Sequence, residues 1–295
     1  GSLVPMGGLA TSPTMHRELR IKTIHSSLAI EGNSLSEEVV SAILDGKRVL
    51  GAASDIREVQ NADRAYAMLA ELDPTSVSDL LRAHGVMMDG LIPEAGCFRA
   101  KNVGVYDGER LIHAGTPAAY VPEVVADLFA WVARTDLHPL VASCVFHYEF
   151  EFIHPFSDGN GRMGRLWHTL LLSRWRPVLA WLPIESVILD RQAGYYAALA
   201  ESNYRGSCEC FVTFMLEVIR DAMRPYAYGY DRDLARREKA CDYLRHDERA
   251  TVSEIAGHLG CSKRTAERLM AELKADGIVA REGSARAGRW VVRGL

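Results

Sequence analysis

Two long apolar segments with a short polar turn between them constrain the fold of this chain most strongly. The first segment reads LVASCVFHYEFEFI and the second reads LWHTLLLSRW; they are separated by HPFSDGNGRMGR, from His154 to Arg165. Apolar segments of this length predict buried helices. Gly159 and Gly161 let the backbone turn tightly before a new helix begins at Arg162. The sequence therefore predicts a polar turn held between two core helices.

The start of the second helix is a predicted anion site, which we call the cradle (residues 159–165). The first N–H groups of a helix have no partner inside the helix, and the helix dipole adds partial positive charge there. A glycine-rich turn at such a point binds anions. Arg162 and Arg165 are three residues apart, so both side chains can project from one face of the helix. Two guanidinium groups suit a diphosphate or triphosphate better than a lone carboxylate.

Asp158 and His154, beside the cradle, add the groups that a transfer reaction needs. Asp158 would repel a polyphosphate unless it held the Mg²⁺ that bridges phosphate oxygens. His154, at the end of the preceding helix, is positioned to take a proton from an incoming hydroxyl at neutral pH. A lone His-Pro or Gly-Asn-Gly would be an ordinary turn. Joined in this order, the residues indicate transfer of a group to a hydroxyl.

The same twelve residues resemble the signature of the Fic (filamentation induced by cAMP) family, HPFxxGNGRxxR, at every specified position. The resemblance implies a mainly α fold, a Fic-type helical bundle, and transfer of AMP from ATP to a Ser, Thr or Tyr hydroxyl of a target protein. It implies that His154 is the general base, that Asp158 holds Mg²⁺ and that Phe156 anchors the turn in the core. The implied phosphate ligands are Gly159, Asn160, Gly161, Arg162 and Arg165.

A segment beyond the signature extends the resemblance to the nucleoside. YYAALAESN resembles the family's nucleoside-binding segment, in which Tyr196 and Asn203 would contact the adenosine. Core packing is the alternative role for Tyr196. After Asn203 the sequence YRGSCECFVTFM departs from the Gly-Asp commonly found there, which leaves the details of the nucleoside pocket open.

The segment from Asn102 to His113 is predicted to form a β-hairpin. Its β-branched and aromatic residues flank Asp107-Gly108, a dipeptide typical of two-residue hairpin turns. The hairpin resembles the family's flap, which binds the target segment as an added strand, and any open hairpin edge offers N–H and C=O groups for this purpose. A plain surface hairpin is the alternative. The predicted target-docking residues are Val103, Val105, Leu111, Ile112 and His113.

A possible brake lies near the N-terminus, where SLAIEGN fits the inhibitory motif (S/T)xxxE(G/N) of Fic proteins that carry their own N-terminal inhibitory helix. Ser27 and Glu31 are the motif residues, and Glu31 comes at the end of a helix predicted over 14–30. A carboxylate brought to the cradle would pair with Arg165 and take space that the γ-phosphate needs. The alternative is that Glu31 is a solvated acid at a helix end.

The remaining N-terminal elements are predicted to be helices. A capping box of Ser34 and Glu37 opens the second helix, and further helices cover 56–72 and 77–89. The predicted divisions are a tag or disordered leader at 1–13, N-terminal helices at 14–60, a catalytic core at 61–225, a linker at 226–232 and a C-terminal domain at 233–295.

The C-terminal domain is predicted to be a winged helix-turn-helix, because three helices precede a short hairpin. From Asp231 onward there are 14 Lys/Arg and 11 Asp/Glu, against 20 and 27 in the preceding part. This basic excess favours contact with nucleic acid. Glu267 and Glu272 share the third helix, so a protein-contact or dimerisation role is the alternative. The predicted DNA contacts are Lys263, Arg264, Arg268 and Arg286.

The composition, 48% hydrophobic and 24% charged, is that of a globular protein. No apolar run approaches the roughly 20 residues that a membrane span needs. No secretory pattern opens the chain, and GSLVP is typical of a cloning scar. Six cysteines, including the Cys208-x-Cys210 pair, favour buried thiols in a reducing cytoplasm over a metal site. We therefore expect a cytoplasmic protein without membrane partners. The family resemblance and the winged module both suit pairing, so the chain is expected to form a homodimer.

The leading functional hypothesis is AMP transfer from Mg²⁺-bound ATP to an unidentified protein, restrained by Glu31. One alternative uses the same site to remove AMP, with Glu31 aligning a water molecule for attack. The other is a DNA-binding regulator whose nucleotide site acts as a sensor.

Overall fold

A computed structural model describes residues 13–107, 110–282 and 288–293, with the main chain alone described for 13, 104–107, 110–114, 227–235 and 238. The leader up to residue 12 and Arg286 therefore lie outside the described residues. The described chain is mainly helical and divides into two compact units, one ending at Arg224 and the other beginning at Pro225.

The first unit begins with four helices: α1 (Pro13–Ile30), α2 (Glu37–Leu44), α3 (Ala53–Ala67) and α4 (Val77–Met87). The predicted helix over 14–30 is confirmed. The predicted capping box is wrong. The N-cap of α2 is Ser36, whose hydroxyl accepts from the N–H of Val39, and Ser34 donates instead to Asp55. Because the segment stays extended through Leu35, that buried side chain packs into the core before the helix starts.

A hairpin of β1 (Gly104–Asp107) and β2 (Arg110–Ala114) follows, and the two strands pair antiparallel from Gly104–Ala114 to Asp107–Arg110. The hairpin prediction is confirmed, although Asp107 is the last residue of β1 and not a turn residue. Only the main chain is described for four of the predicted docking residues, Val105, Leu111, Ile112 and His113.

The centre of the unit is the pair α6 (Pro139–Ile153) and α7 (Asn160–Trp175), with α5 (Val121–Val132) packed against α6. Phe146, Phe150 and Trp167 are fully buried between these helices and those of the N-terminal segment. The polar turn joins α6 to α7, as predicted. Helices α8 (Ile184–Asp190) and α9 (Gln192–Arg205) follow, and α8 packs against α1.

The segment 226–232, predicted to be a linker, and the residues that follow it are helical. Both belong to one helix, α10 (Glu209–His246), with Pro225 inside it. A proline within a helix removes one hydrogen bond and crowds the preceding turn, but it does not by itself end the helix. The boundary between the two units still falls at Pro225.

The second unit contains the end of α10, then α11 (Val252–His258), α12 (Lys263–Ala275), β3 (Val279–Glu282) and β4 (Arg289–Val292). Thr251 and Glu254 form a capping box on α11. The two strands pair antiparallel, and Trp290 packs into a small core with Leu244, Ile255 and Leu273. This order of elements is the predicted one, and its assignment as a winged helix stays a prediction.

None of the helices in the described part of the chain combines the length and apolar character needed to cross a bilayer.

Candidate active site

His154 ends α6 in a left-handed conformation, with φ 52° and ψ 62°. Within the described residues it is the one non-glycine residue with positive φ. Such a backbone costs of order 1 kcal/mol and persists where its surroundings hold it. Here the N–H of His154 donates to Phe150 at 3.0 Å, and its carbonyl accepts from the Nε of Arg99 at 2.7 Å. The predicted base is therefore fixed in place by main-chain contacts.

Arg99 is a buried residue that joins the end of α6 to the base of the hairpin. Besides His154, its guanidinium donates to the carbonyls of Ile153 at 3.2 Å, Lys101 at 2.9 Å and Thr116. A Cβ built on Gly115, at the base of β2, would lie 3.5 Å from the Cβ of His154. The end of the hairpin at Gly115 therefore lies next to His154, the predicted general base. No local sequence pattern marks Arg99, because its partners are all main-chain groups.

The turn after His154 is closed by Asn160, the first residue of α7. Its side-chain oxygen accepts from the N–H of Phe156 and its side-chain nitrogen donates to the carbonyl of Phe156, both at 2.9 Å. Asn160 therefore builds the turn in this conformation, with both polar atoms engaged. Phe156 is fully buried and stacks on His84 with ring centroids 3.6 Å apart, as expected for a core anchor.

His84 supports the same turn from α4. Its Nδ1 accepts from the N–H of Gly96 at 2.9 Å, so its Nε2 carries the proton that binds the carbonyl of Asp158 at 3.0 Å. Burial lowers the pKa of His84 to about 4, which keeps the ring neutral at pH 7. Gly159 has φ 85°, and a Cβ there would lie 2.6 Å from the sulfur of Met88. Glycine is required at 159 for both reasons.

Arg162 is almost completely buried and contacts two carboxylates. Its Nη2 donates to Asp158 at 2.9 Å and its Nη1 donates to Glu58, on α3, at 2.8 Å. Asp158 keeps about half of its side chain in solvent, at 57% exposure. An exposed carboxylate at the mouth of an anion site suits Mg²⁺, which is usually held by one or two carboxylates plus phosphate oxygens and water.

Arg165 is buried against the end of α1. Its Nη2 donates to Glu31 at 2.8 Å and to the carbonyl of Ser27 at 2.9 Å, and its Nε donates to the Ser27 hydroxyl at 3.0 Å. Burial acts to lower the pKa of Arg165, but Glu31, Tyr195 and Glu151 outweigh it and raise the pKa above its usual value. The expected pair of Glu31 with Arg165 is present in the structure, and Ser27, the other motif residue, also accepts from Arg165.

The carboxylate of Glu31 lies directly over the cradle. A Cβ built on Gly161 would lie 2.3 Å from the Oε1 of Glu31 and 3.0 Å from the Nη1 of Arg165. Only glycine at 161 allows this approach. Both arginines also keep a buried donor, the Nε of Arg162 and the Nη1 of Arg165, without a hydrogen-bond partner among the described residues. Unpartnered cationic donors at a helix start are the features that a phosphate group would satisfy.

A layer of buried polar groups beneath Arg165 was missed by the sequence analysis. The Tyr195 hydroxyl lies 3.1 Å from the Nε2 of His147, and Glu151 lies one helical turn from His147. Burial raises the pKa of Glu151 to about 8, a shift that Arg165 reduces and Glu31 increases. Glu151 is therefore mostly protonated at pH 7. The available signal was the i, i+4 spacing of His147 and Glu151 within a largely apolar segment.

The predicted adenosine contacts lie on α9. Tyr196 is 46% exposed, so core packing is not its role, and its hydroxyl donates to the carbonyl of Ile30 at 3.3 Å. Gln192 donates to the same carbonyl at 2.9 Å. Tyr196 therefore lies beside the end of α1 and next to Glu31. Asn203 is farther along α9 and accepts from the Tyr148 hydroxyl at 3.0 Å.

The predicted DNA contacts Lys263, Arg264 and Arg268 are exposed on α12. Arg268 lies 3.6 Å from Glu272.

All six cysteines are free thiols. Across the described residues, no group of three or more His, Cys, Asp or Glu side chains is arranged to hold a metal ion.

Comparison with known proteins gives the family. The sequence model of the Fic/DOC family matches residues 74–172. The structure is similar to that of a Fic family protein from Desulfovibrio desulfuricans G20, with 39% sequence identity, a TM-score of 0.72 and coverage of 100% of this chain and 98% of that one. This chain belongs to the Fic/DOC family.

Two curated relatives have names that state an activity. The chain is 31% identical over 228 residues to protein adenylyltransferase fic-1 of Caenorhabditis elegans and 32% identical to the protein of the same name from Caenorhabditis briggsae. Each match covers 72% of this chain and 42% of the relative. The chain therefore spans less than half the length of these Fic relatives.

Proposed function

We propose that this Fic protein is a protein adenylyltransferase, which transfers AMP from Mg²⁺-bound ATP to a Ser, Thr or Tyr hydroxyl of another protein and is restrained by Glu31. The observation that carries the proposal is the position of the Glu31 carboxylate over Gly161, paired with Arg165 at the start of α7. A carboxylate held there marks an anion site and competes with phosphate for the same cation. The adenylyltransferase names of the two nematode relatives support the chemistry.

The reaction follows from the groups around the cradle. His154 removes the proton of the target hydroxyl, whose oxygen attacks the α-phosphorus of ATP. A bond forms between that oxygen and the α-phosphorus, the bond from the α-phosphorus to the bridging oxygen of the β-phosphate breaks, and pyrophosphate leaves. The N–H groups at the start of α7 bind the α-phosphate, and Arg162 and Arg165 bind the β- and γ-phosphates. Asp158 would hold Mg²⁺, which supplies neutralisation of charge on the phosphate oxygens.

Glu31 inhibits in this scheme because it occupies part of the γ-phosphate position. ATP bound beside it would have its phosphates displaced, and small displacements of reacting atoms cost much of the rate. The hairpin, whose base adjoins His154, presents the target segment as an added strand, so that its hydroxyl reaches the imidazole. Tyr196 and Asn203 contact the adenosine.

The test is the intact mass of four proteins after incubation with Mg²⁺ and ATP, alone and with cell extract as a source of substrate. The proteins are wild type, Glu31→Gly, Glu31→Gly/His154→Ala and Glu31→Gly/His138→Ala. His138 lies at the opposite end of α6 and is the matched histidine control. We expect the mass increment of AMP in Glu31→Gly and in its His138→Ala derivative, and in neither of the others. If all four proteins and every extract protein remain unmodified, the proposal is wrong.

Removal of AMP is the second candidate activity, since the Glu31 carboxylate lies in the cradle with 32% of its side chain exposed, where it can contact a water molecule. In that case wild type would release AMP from a modified protein and Glu31→Gly would not. Release by both proteins, or by neither, would eliminate this alternative.

A further inference from the structure

A second carboxylate, outside the family signature, engages the other arginine of the cradle. Glu58 of α3 accepts from the Nη1 of Arg162 at 2.8 Å, and its side chain is 20% exposed while that of Arg162 is 4% exposed. The ion pair is therefore mostly removed from water, where such contacts are strong and geometrically specific. Each arginine of the cradle thus has a carboxylate from an N-terminal helix: Glu31 of the α1 end on Arg165, and Glu58 on Arg162.

The other oxygen of Glu58 connects it to the end of α1. It accepts from the side-chain nitrogen of Asn33 at 2.8 Å. The N–H of Asn33 donates to the carbonyl of Leu28 at 3.1 Å, so Asn33 is part of the turn that closes α1. Its side chain also contacts the carbonyl of Asp55 and the N–H of Leu35. Glu31 lies two residues before Asn33 in this same turn.

These contacts form a continuous series from the cradle to the inhibitory carboxylate: Arg162, Glu58, Asn33 and the turn that carries Glu31. We propose that Glu58 is a positioning residue that couples the two arginines, so that a phosphate bound by Arg162 loosens the turn holding Glu31 on Arg165. The inference rests on the proposed function, because it explains how the nucleotide itself weakens the restraint.

The physical basis is competition for one cation. When Arg162 turns toward a phosphate, Glu58 loses its partner and faces the negative charge of the ligand, so its most favourable position is farther from the cradle. Asn33 donates a hydrogen bond to Glu58, so it then either moves with the Glu58 carboxylate or loses this hydrogen bond. Coupling of this kind is reciprocal, so freeing Glu31 must also strengthen phosphate binding at Arg162.

The test compares Asn33→Ala with Ser34→Ala, each in wild type and in Glu31→Gly. Ser34 is the matched control because its hydroxyl donates to Asp55 and not to Glu58. We expect Asn33→Ala to raise AMP transfer roughly five- to tenfold over wild type, within the usual range of coupling between sites. In Glu31→Gly the same substitution should change transfer less than about twofold, because the restraint is already gone. Ser34→Ala should match its parent in both backgrounds.

A second measurement needs no catalysis and separates failure of the coupling from failure of the proposed function. Hydrogen exchange at the amides of 28–33 is measured with and without Mg²⁺ and a non-hydrolysable ATP analogue. We expect the analogue to speed exchange there in wild type and Ser34→Ala. In Asn33→Ala exchange is already fast and does not respond. Unchanged exchange in wild type with the analogue bound, or an Asn33→Ala substitution that lowers transfer equally in both backgrounds, overturns the coupling. Absence of transfer in every variant contradicts the proposed function alone.

Discussion

Basic residues gather near the start of two helices, and the two groups are built in opposite ways. At α7, Arg162 and Arg165 are 3% and 2% exposed and are held by carboxylates from the N-terminal segment. At α12, Lys263, Arg264 and Arg268 are exposed, and Arg268 makes a surface contact with Glu272. Burying a cation is costly unless it is paired, whereas an exposed one costs little and contributes little. The two buried arginines of α7, which keep unpartnered donors, are therefore much stronger evidence of a binding site than the exposed cations of α12.

The largest expected difference between the two regions is in stability. Arg165→Ala removes the partner of Glu31 and Ser27 from a buried site, and we expect a loss of about 3 kcal/mol in the free energy of unfolding. Arg268→Ala, the matched change on α12, should cost no more than about 0.5 kcal/mol. Urea unfolding followed by tryptophan fluorescence measures both, since four of the five tryptophans lie in the first unit and Trp290 lies in the second. If Arg165→Ala and Arg268→Ala lost equal free energy of unfolding, Arg165 would be held no more strongly than the exposed Arg268.

The next effect depends on pH and tests the layer beneath Arg165. Because the pKa of Glu151 is raised to about 8, the folded chain retains a proton that the unfolded chain releases near its ordinary pKa of 4.5. Glu151 therefore makes the protein less stable as pH rises through the window from 4.5 to 8. Glu151→Gln removes this dependence, and its stability relative to wild type should increase by about 3 kcal/mol between pH 5 and pH 8.

The control for Glu151 is Glu71→Gln, since the Glu71 side chain is 70% exposed. Its stability relative to wild type should not change between the two pH values. A Glu151→Gln variant that behaves in the same way would mean that Glu151 is ionised in the folded protein.

A smaller effect is expected where His84 supports the turn before α7. His84→Phe keeps the stacking on Phe156 and removes the bonds to Asp158 and Gly96. Because the turn that carries Asp158 loses its support, AMP transfer measured in the Glu31→Gly background should fall about tenfold. The melting temperature should fall by a few degrees, because the N–H of Gly96 and the carbonyl of Asp158 lose their partner. Transfer at the level of Glu31→Gly alone would mean that the turn holds its shape without His84.

The smallest effect is expected at α12. Exposed cations of this kind give weak, sequence-independent DNA binding, with Kd on the order of 10⁻⁴ to 10⁻⁶ M at physiological salt. Lys263→Glu/Arg264→Glu should remove that binding and leave transfer by Glu31→Gly unchanged. Fluorescence anisotropy with duplex DNA at several salt concentrations measures the DNA affinity of the wild-type and variant proteins. Tight binding to one sequence would instead favour the DNA-binding regulator and would show that the exposed cations of α12 form a specific binding site.

The sequence predicted the parts of the site that are local along the chain. The turn from His154 to Arg165 contains its own glycines, base and arginines, and SLAIEGN contains the acid that pairs with one of them. It did not predict Arg99, His84 or Glu58, because their contacts with His154, Asp158 and Arg162 join residues 55 or more positions apart in the chain. An isolated Arg, His or Glu in a helix or loop has no local pattern that marks such a role.

The errors in secondary structure have a related cause. Ser34 was a reasonable helix cap by sequence, but the buried position of Leu35 moved the start of α2 to Ser36. The segment 226–232 was predicted to be a linker, whereas α10 continues through it. At Ser34 the packing of Leu35 outweighed the capping pattern. At 226–232 the helix extends through residues whose local sequence does not favour it.

The proposed function requires the cradle to bind the phosphates of ATP once Glu31 is removed. A crystal structure of Glu31→Gly with Mg²⁺ and a non-hydrolysable ATP analogue tests this most directly. We predict phosphate oxygens within hydrogen-bonding distance of the N–H groups at the start of α7 and of Arg162 and Arg165, with the α-phosphate facing the imidazole of His154. A triphosphate bound elsewhere on the chain, with the cradle unchanged, would contradict the account.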